Sequence, residues 1–248
     1  MKHTILAPIP IDSVTFARRS DTIYLSYTNE MVTYNNPRAY YTYIDIDKCD
    51  VKIRHNDLQS PLILSVSGSC KEGSLSIQSE SNCHIVFQGL NLQSSMCPAI
   101  EVQSNVSTTI ELAEYTCNML ADTIVAGYGM KYDGCIQTNG ELCFEGEGSL
   151  NLKGGRKHAI YSKQGIIFRG GDFAIAHATS DAIHSKSYVR ILNGKISIDS
   201  IQQDGIDADE GYIDIQGGNV YVSVQNKNRK GLQCDSTFTM SGGMLDIY

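Results

Sequence analysis

The feature that most constrains this chain is a motif that returns every 23 to 25 residues. Five glycine-containing segments share it: FEGEGSLNL from residue 144, FRGGDFAI from 168, ILNGKISI from 191, IQGGNVYV from 215 and MSGGMLDI from 240. A second landmark keeps a similar interval, in HAIYSK from residue 158, DAIHSK from 181, DGIDAD from 204 and KGLQCD from 230. Five consecutive units in register predict a repeat architecture in which each unit is one structural element.

Apolar residues alternate within each unit. Equivalent positions are occupied by Phe173 and Ile175, Ile196 and Ile198, Val220 and Val222, and Leu245 and Ile247. A period of two is typical of a strand with one buried face, and the preceding glycines suit tight bends with positive φ. A unit of this size cannot bury its apolar face alone, and the patterns of helical and leucine-rich repeats are missing. We therefore predict an all-β parallel β-helix with one coil per unit.

The rhythm differs before about Asp47. Residues 14–27 (VTFARRSDTIYLSY) and 31–46 (MVTYNNPRAYYTYIDI) are each typical of a β-hairpin, the second with NNP as its turn. The end of a β-helix is an open sheet edge that needs covering. We therefore predict an N-terminal β cap at residues 1–47 and a β-helix domain at residues 48–248. The tyrosines of the second hairpin are expected to pack within the cap: Tyr34, Tyr40, Tyr41 and Tyr43.

Composition excludes several classes of protein. A formal net charge of -7 and a pI of about 5.3 argue against a nucleic-acid binder, which needs a basic surface. No apolar run approaches the ~20 residues of a transmembrane helix, and the opening MKHTILAPIPIDS is not a convincing signal peptide. The eight cysteines form no C-x-x-C pair, so a cysteine zinc site is not expected. We expect these cysteines to act mainly as buried, reduced thiols.

Two long segments carry a family resemblance. They are HIVFQGLNLQSSMCPAIEVQSNVSTTIELAEYTCNMLAD, residues 84–122, and GCIQTNGELCFEGEGSLNLKG, residues 134–154. With the repeated DGI-type units, they resemble the bacterial carbohydrate-binding domain-containing proteins, over roughly Leu62 to Ile247. The resemblance implies a right-handed β-helix like that of pectate lyases, bound calcium and affinity for an acidic polysaccharide such as polygalacturonate. It also implies an extracellular or cell-surface location.

An acidic cluster is the candidate metal site. The repeat places Asp209 and Asp235 at equivalent positions on neighbouring coils, about 4.8 Å apart, and Asp207 on the same side of the strand as Asp209. Calcium prefers carboxylate and carbonyl oxygens, so we predict calcium ligands at Asp204, Asp207, Asp209 and Asp235. The alternative is a solvated acidic surface, balanced by Lys227, Arg229 and Lys230.

Two further rows follow from the repeat. Asp181 and Asp204 share a turn position with His158 and Lys230, and for this turn ladder we predict a structural role. A basic row has lysines in one position and arginines near the next strand, beside an aromatic position. Lysine and arginine pair with uronate carboxylates, and an aromatic ring stacks on a sugar. The predicted carbohydrate-binding residues are Tyr161, Lys163, Arg169, His184, Lys186 and Arg190; the alternative is an ordinary solvated surface.

The interpretation is a non-catalytic binder of acidic polysaccharide, assisted by calcium. One alternative is a calcium-dependent polysaccharide lyase, for which Arg169 and Arg190 are the available bases, although no local motif selects either of them. The other alternative is a structural or adhesive surface module without a glycan site. The nucleophile-elbow, phosphate-loop and zinc-protease motifs are absent from the sequence.

Overall fold

The protein is an all-β structure. The computed structural model describes residues 21–123, 132–224 and 226–248. These residues form 25 strands and no helix, so they contain no helix long and apolar enough to cross a membrane. The first 20 residues of the predicted cap, with half of its first predicted hairpin, lie outside the described residues.

The strands follow the predicted coils. Three strands precede them: β1 (Ile23–Tyr27), β2 (Val32–Asn35) and β3 (Thr42–Asp47). Two coils have two strands each: β4 (Asp50–His55) and β5 (Leu62–Cys70), then β6 (Ser74–Ser79) and β7 (Cys83–Ser94). Later coils have three: β8 (Ile100–Val102), β9 (Thr108–Leu112) and β10 (Cys117–Asp122); β11 (Gly134–Thr138), β12 (Leu142–Gly146) and β13 (Ser149–Gly154); β14 (His158–Ser162), β15 (Gly165–Phe168) and β16 (Asp172–Ala178). The last three coils are β17 (Ile183–Ser185), β18 (Tyr188–Ile191) and β19 (Lys195–Ile201); β20 (Ile206–Asp207), β21 (Tyr212–Ile215) and β22 (Asn219–Val224); β23 (Leu232–Gln233), β24 (Phe238–Met240) and β25 (Met244–Ile247).

Two sheets run along the axis. Sheet 1 has nine strands in the order β23-β20-β17-β14-β11-β8-β6-β4-β3. Sheet 2 has 16 strands and bends into two walls, because the long strand β7 pairs with β9 through its first half and with β10 through its second half. The first wall continues through β12, β15, β18, β21 and β24, and the second through β13, β16, β19, β22 and β25. The coils wind into a right-handed parallel β-helix of about 8 turns, which confirms the predicted fold class.

Stacked apolar side chains fill the interior. In sheet 1 an inward ladder of isoleucines has no exposed surface; it contains Ile100, Ile136, Ile160, Ile183 and Ile206. The second wall contributes the predicted alternating pairs, all buried from Phe173 to Val222. In the last coil Leu245 is half-buried and Ile247 is 48% exposed. Burying one such side chain contributes about 1.5–3 kcal/mol, so the coils are held together mainly by these ladders.

The repeated glycine turn has the expected backbone conformation. Gly171 has a φ of 93° and Gly194 a φ of 104°, and both precede a strand of the second wall. An L side chain is strained in this left-handed region. A Cβ at Gly194 would also lie 2.8 Å from the carbonyl oxygen of Gly171 on the preceding coil. The glycine therefore serves both the bend and the close stacking of coils.

The N-terminal strands pair differently from the prediction. β2 pairs with β1, and β3 pairs antiparallel with β4, so residues 31–46 do not form one hairpin. Asn35 ends β2 and a turn begins at Pro37, but that turn leads from sheet 2 to sheet 1. The proposed boundary after residue 47 falls in the turn of the β3–β4 hairpin, and this division into domains stays a prediction. The four tyrosines do not pack inside a cap: their exposed fractions run from 45% for Tyr41 to 90% for Tyr40.

All eight cysteines are free thiols. Five are buried, as expected for small apolar side chains: Cys49, Cys70, Cys83, Cys135 and Cys143. Cys97 and Cys234 are half-buried, and Cys117 is exposed. Burial raises the pKa of the Cys83 thiol to about 11, which keeps it protonated near neutral pH.

Candidate functional site

The outer surface of sheet 1 carries two continuous rows of polar residues. Because side chains alternate along a strand, every outward position stacks on the same position of the next coil. The first outer row contains Lys52, Ser76, Glu101, Gln137, Tyr161, His184, Asp207 and Gln233. The second outer row lies two residues further along the chain, after the strand end from the third coil onward, and contains Arg54, Gln78, Gln103, Asn139, Lys163, Lys186, Asp209 and Asp235. Each row follows the helix axis.

A groove of about 430 Å³ lies over the first coils of these rows. It is lined by Tyr43, Asp45, Lys52, Ile53, Arg54, Ser76, Gln78 and Gln103. Its far side is fixed by a network of amides and a carboxylate. Gln78 Nε2 donates to Gln103 Oε1 at 2.7 Å, and Gln103 Nε2 donates to Glu101 Oε2 at 2.8 Å. The groove is thus open, polar and ordered on one side.

Two cations, one carboxylate and a tyrosine face this groove: Lys52, Arg54, Asp45 and Tyr43. Tyr43 is 64% exposed and pairs across the β3–β4 hairpin with Arg54. Lys52 and Arg54 are exposed, and neither forms a salt bridge within the described part of the chain. Sequence reasoning missed these residues, because the coil repeat is weak before residue 84. The signal was the alternation in VKIRH, which buries Val51 and Ile53 and leaves the two basic side chains outside.

Further along sheet 1, the first outer row meets a cluster of carboxylates and imidazoles. His184 Nδ1 lies 3.1 Å from Asp181 Oδ2 and 3.4 Å from Asp207 Oδ2. His184 Nε2 lies 3.9 Å from Asp209 Oδ2, which also accepts a hydrogen bond from Lys186 Nζ. Asp181, His184 and Asp207 are buried, so their charges interact in a poorly hydrated environment.

The two histidines of this cluster have opposite protonation preferences. Burial disfavours the charged form of His184, but hydrogen bonds to Asp181 and Asp207 outweigh it and raise its pKa to about 9. His158 has its pKa lowered by burial first and by the neighbouring His184 second. His184 is therefore the cation that balances the carboxylates at neutral pH, and His158 is neutral.

The predicted sugar-stacking residue Tyr161 is buried in the same cluster. Its ring packs nearly parallel to the rings of His158 and His184, with centroid separations of 5.8 Å and 5.7 Å. Only 5% of its surface is exposed, so the ring offers no free face for a sugar. His184, also predicted to contact sugar, is 8% exposed. Both side chains are packed into the protein and do not project from its surface.

The predicted basic row is divided between two surfaces. Lys163 and Lys186 stack on successive coils of the second outer row and are exposed. Arg190 lies on the first wall of sheet 2, with its Nε 3.6 Å from Asp214 Oδ2. Arg169 follows β15 of that wall and donates from Nε to Cys143 Sγ at 3.2 Å. The structure therefore does not bring the arginines together with the lysines.

The predicted calcium ligands are only partly assembled. Asp235 lies one coil after Asp209, as the repeat predicts, and its N–H donates to the Asp209 carbonyl at 2.9 Å. Asp204 and Asp207 form a close group with Asp181, in which the ligand atoms lie within 4.8 Å of one another. Among the described residues, the exposed carboxylate of Asp235 joins no such group. Asp209, which is half-buried, forms a second close group with Asp207 and His184.

The first wall also carries an aromatic surface that the sequence did not reveal. The rings of Tyr188 and Tyr212 stack with centroids 5.3 Å apart and planes at 14°. The Tyr188 ring lies over Gly165 on the preceding coil, and its hydroxyl donates to Glu141. In the sequence, Gly165, Tyr188 and Tyr212 follow one another at the spacing of one coil. That pattern could have located this surface.

The fold and the surface together define the class of protein: a parallel β-helix with rows of polar side chains on the outer surface of a sheet. The chain belongs to the carbohydrate-binding domain-containing protein family, whose model matches residues 59–248. Among solved structures it is similar to a polysaccharide lyase-like protein from C. thermocellum, determined as a gadolinium derivative. That similarity has a TM-score of 0.70 at 18% identity, and covers 92% of this chain and 97% of the other. No curated protein sequence matches the chain.

Proposed function

We propose that this protein binds an acidic, uronate-containing polysaccharide such as polygalacturonate along the outer surface of sheet 1, with the assistance of calcium. The observation that carries the proposal is the groove over the first coils, where Lys52 and Arg54 stand exposed without a salt bridge beside the exposed ring of Tyr43. Among described residues, these two cations are free to pair with an anionic ligand.

The chemistry of the groove suits a uronate. The guanidinium of Arg54 matches the two oxygens of a carboxylate, and Lys52 adds a second positive charge. The Tyr43 ring gives an apolar face for a sugar ring, and the amides of Gln78 and Gln103 offer donors and acceptors for hydroxyl groups. Asp45, the register partner of Lys52, offsets one of the two positive charges, and an uncharged sugar would leave Arg54 without an anion. The groove therefore favours an acidic glycan.

The second outer row extends the surface for a polymer. It leads from Arg54 through the amides of Gln78 and Gln103 to Lys163 and Lys186. A chain lying along the row meets further cations after the groove. Several weak contacts on one polymer raise the overall affinity, because each later contact is intramolecular.

Calcium assistance is the finer part of the proposal. Calcium takes six to eight oxygen ligands at about 2.3–2.6 Å. We assign the protein oxygens to Asp204, Asp207, Asp209 and Asp235, at the acidic end of the two rows, with uronate carboxylates completing the shell. A bound cation would relieve the repulsion between these carboxylates and the anionic polymer. We also propose an extracellular or cell-surface location, where such polysaccharides are met.

Affinity electrophoresis tests both parts. The protein is run in gels containing polygalacturonate, fully methyl-esterified pectin or no polymer, with calcium and then with EDTA. We expect retention only by polygalacturonate, and weaker retention with EDTA. Equal migration in all gels would reject the glycan proposal. Retention that EDTA leaves unchanged would reject calcium assistance alone.

The same mixtures test the lyase alternative. A lyase would release unsaturated uronides, which absorb in the ultraviolet, while a binder leaves the absorbance constant. We expect no increase. Retention at the cell envelope without retention in any glycan gel would favour the structural or adhesive module.

A further inference from the structure

Three side chains on two adjacent coils bring their possible metal-ligand atoms close together. His158 begins β14, and Asp181 and His184 lie on the next coil, in the turn before β17 and within it. Asp181 Oδ2 lies 3.3 Å from His158 Nδ1 and 3.1 Å from His184 Nδ1. The two imidazole rings stack with centroids 4.4 Å apart. The three ligand atoms lie within 4.8 Å of one another.

His158 has no hydrogen-bond partner in this cluster. It is 2% exposed, and neither of its ring nitrogens makes a hydrogen bond to any residue in the described ranges. A buried polar group without a partner costs roughly 1–3 kcal/mol. The fold does not require a histidine at position 158, since the equivalent position on the next coil is occupied by an aspartate, Asp181. An imidazole held unpaired against a carboxylate points to a ligand for its nitrogen.

The spacing of the atoms fits a small tetrahedral ion. Zinc binds imidazole nitrogen and carboxylate oxygen at about 2.0–2.2 Å, which sets adjacent ligand atoms roughly 3.3–3.6 Å apart. The separations from Asp181 Oδ2 to the two histidine nitrogens are 3.3 Å and 3.1 Å. The separations suit one ion, but the two imidazole planes differ by only 22°, so one ring must rotate before both nitrogens can bind it.

The ligand types separate this trio from a calcium site. Calcium prefers six or more hard oxygens, whereas imidazole suits zinc, copper, nickel and iron. One outer contact orients the carboxylate: Asp181 Oδ1 accepts the backbone N–H of Asp204 at 2.9 Å.

We propose that His158, Asp181 and His184 bind one divalent transition-metal ion, with zinc as the test ion. The trio contains none of the residues assigned above to calcium or to the glycan groove, and metal binding would displace the proton that His184 carries at neutral pH. Nothing in it uses a cysteine, so it differs from the cysteine zinc sites that the sequence argues against.

Cobalt(II) and zinc binding to the full chain test the proposal. We expect one tight site, tetrahedral d–d absorption from bound cobalt, and displacement of that cobalt by zinc but not by calcium. The eight free thiols are the competing ligands. They are recognised by a thiolate-to-cobalt charge-transfer band, which the proposed site would lack. Absence of tight binding, or a thiolate band alone, would overturn the proposal.

Matched histidine variants locate the ion. His158→Gln and His184→Gln are expected to weaken zinc binding about tenfold or more, as loss of a ligand costs at least as much as loss of an outer-shell partner. His177→Gln, on β16 of the second wall, is the control and is expected to bind zinc normally. Normal zinc binding by a folded His158→Gln variant would contradict the assignment. If that variant does not fold, anomalous diffraction from a zinc-soaked wild-type crystal decides, by density at the trio or elsewhere.

Discussion

Asp181 and Asp204 occupy the same position on successive coils, and Asp181 Oδ1 accepts a hydrogen bond from the backbone N–H of Asp204 at 2.9 Å. Asp204 repeats the arrangement, since its Oδ1 accepts the backbone N–H of Lys230 at 2.7 Å. Each of these aspartates thus links its coil to the next one, because its side chain accepts a hydrogen bond from a backbone N–H of that coil. A structural role was predicted for this ladder.

Loss of this link is expected to destabilise the last coils. Asp204→Ala removes a buried acceptor and leaves the Lys230 N–H without its partner, which costs about 1–3 kcal/mol of unfolding free energy. Asp204→Asn keeps an acceptor oxygen and is expected to cost less. Urea unfolding followed by circular dichroism in EDTA measures both. Asp172→Ala, at an exposed position of β16, is the control, and an equal loss there would reject the link.

The glycan proposal predicts that Arg54 carries binding energy. Arg54→Gln removes the guanidinium from the groove and is expected to weaken polygalacturonate binding about tenfold, or ~1.4 kcal/mol. The control is Arg229→Gln, an exposed arginine in the turn before β23. Affinity electrophoresis at several polymer concentrations gives both dissociation constants. Equal affinities would place the glycan elsewhere on the protein.

Two substitutions on the second outer row are expected to change calcium binding in opposite directions. Lys186 Nζ donates to Asp209 Oδ2 and competes with a cation for that carboxylate. Lys186→Gln should therefore strengthen calcium binding, and Asp209→Asn should weaken it, each by roughly threefold to tenfold for a partly exposed charge. Isothermal titration with calcium chloride measures the constants. Parallel changes, or none, would show that Asp209 is not a calcium ligand.

The tyrosine surface of the first wall predicts a coupled pair of substitutions. A Cβ at Gly165 would collide with the Tyr188 ring, so Gly165→Ala is expected to cost about 1–3 kcal/mol of stability. In a Tyr188→Ala background the obstacle is gone, and the same substitution should cost much less. A double-mutant cycle by urea unfolding gives the coupling energy. If Gly165→Ala costs as much stability in the Tyr188→Ala background, the cost comes from the backbone and not from the Tyr188 ring.

The sequence predicted those structural features that depend on the repeat. Inward positions such as Ile196 and Ile198, and the stacking of Asp209 on Asp235, follow from the period alone, because equivalent residues must superpose in a coil. The pairing of β2 with β1 did not follow, since a local turn signal does not say which sheet a strand joins. Residues before Pro61 carry too few repeat landmarks to reveal the Lys52–Arg54 groove.

The buried cluster was hidden for another reason. The alignment put His158 and Asp181 in one position and assigned His184 to a separate row facing the ligand. Only the side-chain directions bring the two imidazoles onto the same carboxylate oxygen. Those directions depend on packing against Tyr161, which a one-dimensional pattern does not contain.

The forward direction of the aspartate links has a mechanical consequence. Each link joins a coil to its successor, so tension on the C-terminal end loads one link after another. Ile160 and Ile183 are register partners on adjacent coils, which makes that coil 23 residues long. Peeling it away would release roughly 80 Å of extended chain. Under stretching, the protein should lengthen in discrete steps and act as a chain of sacrificial bonds that dissipates force.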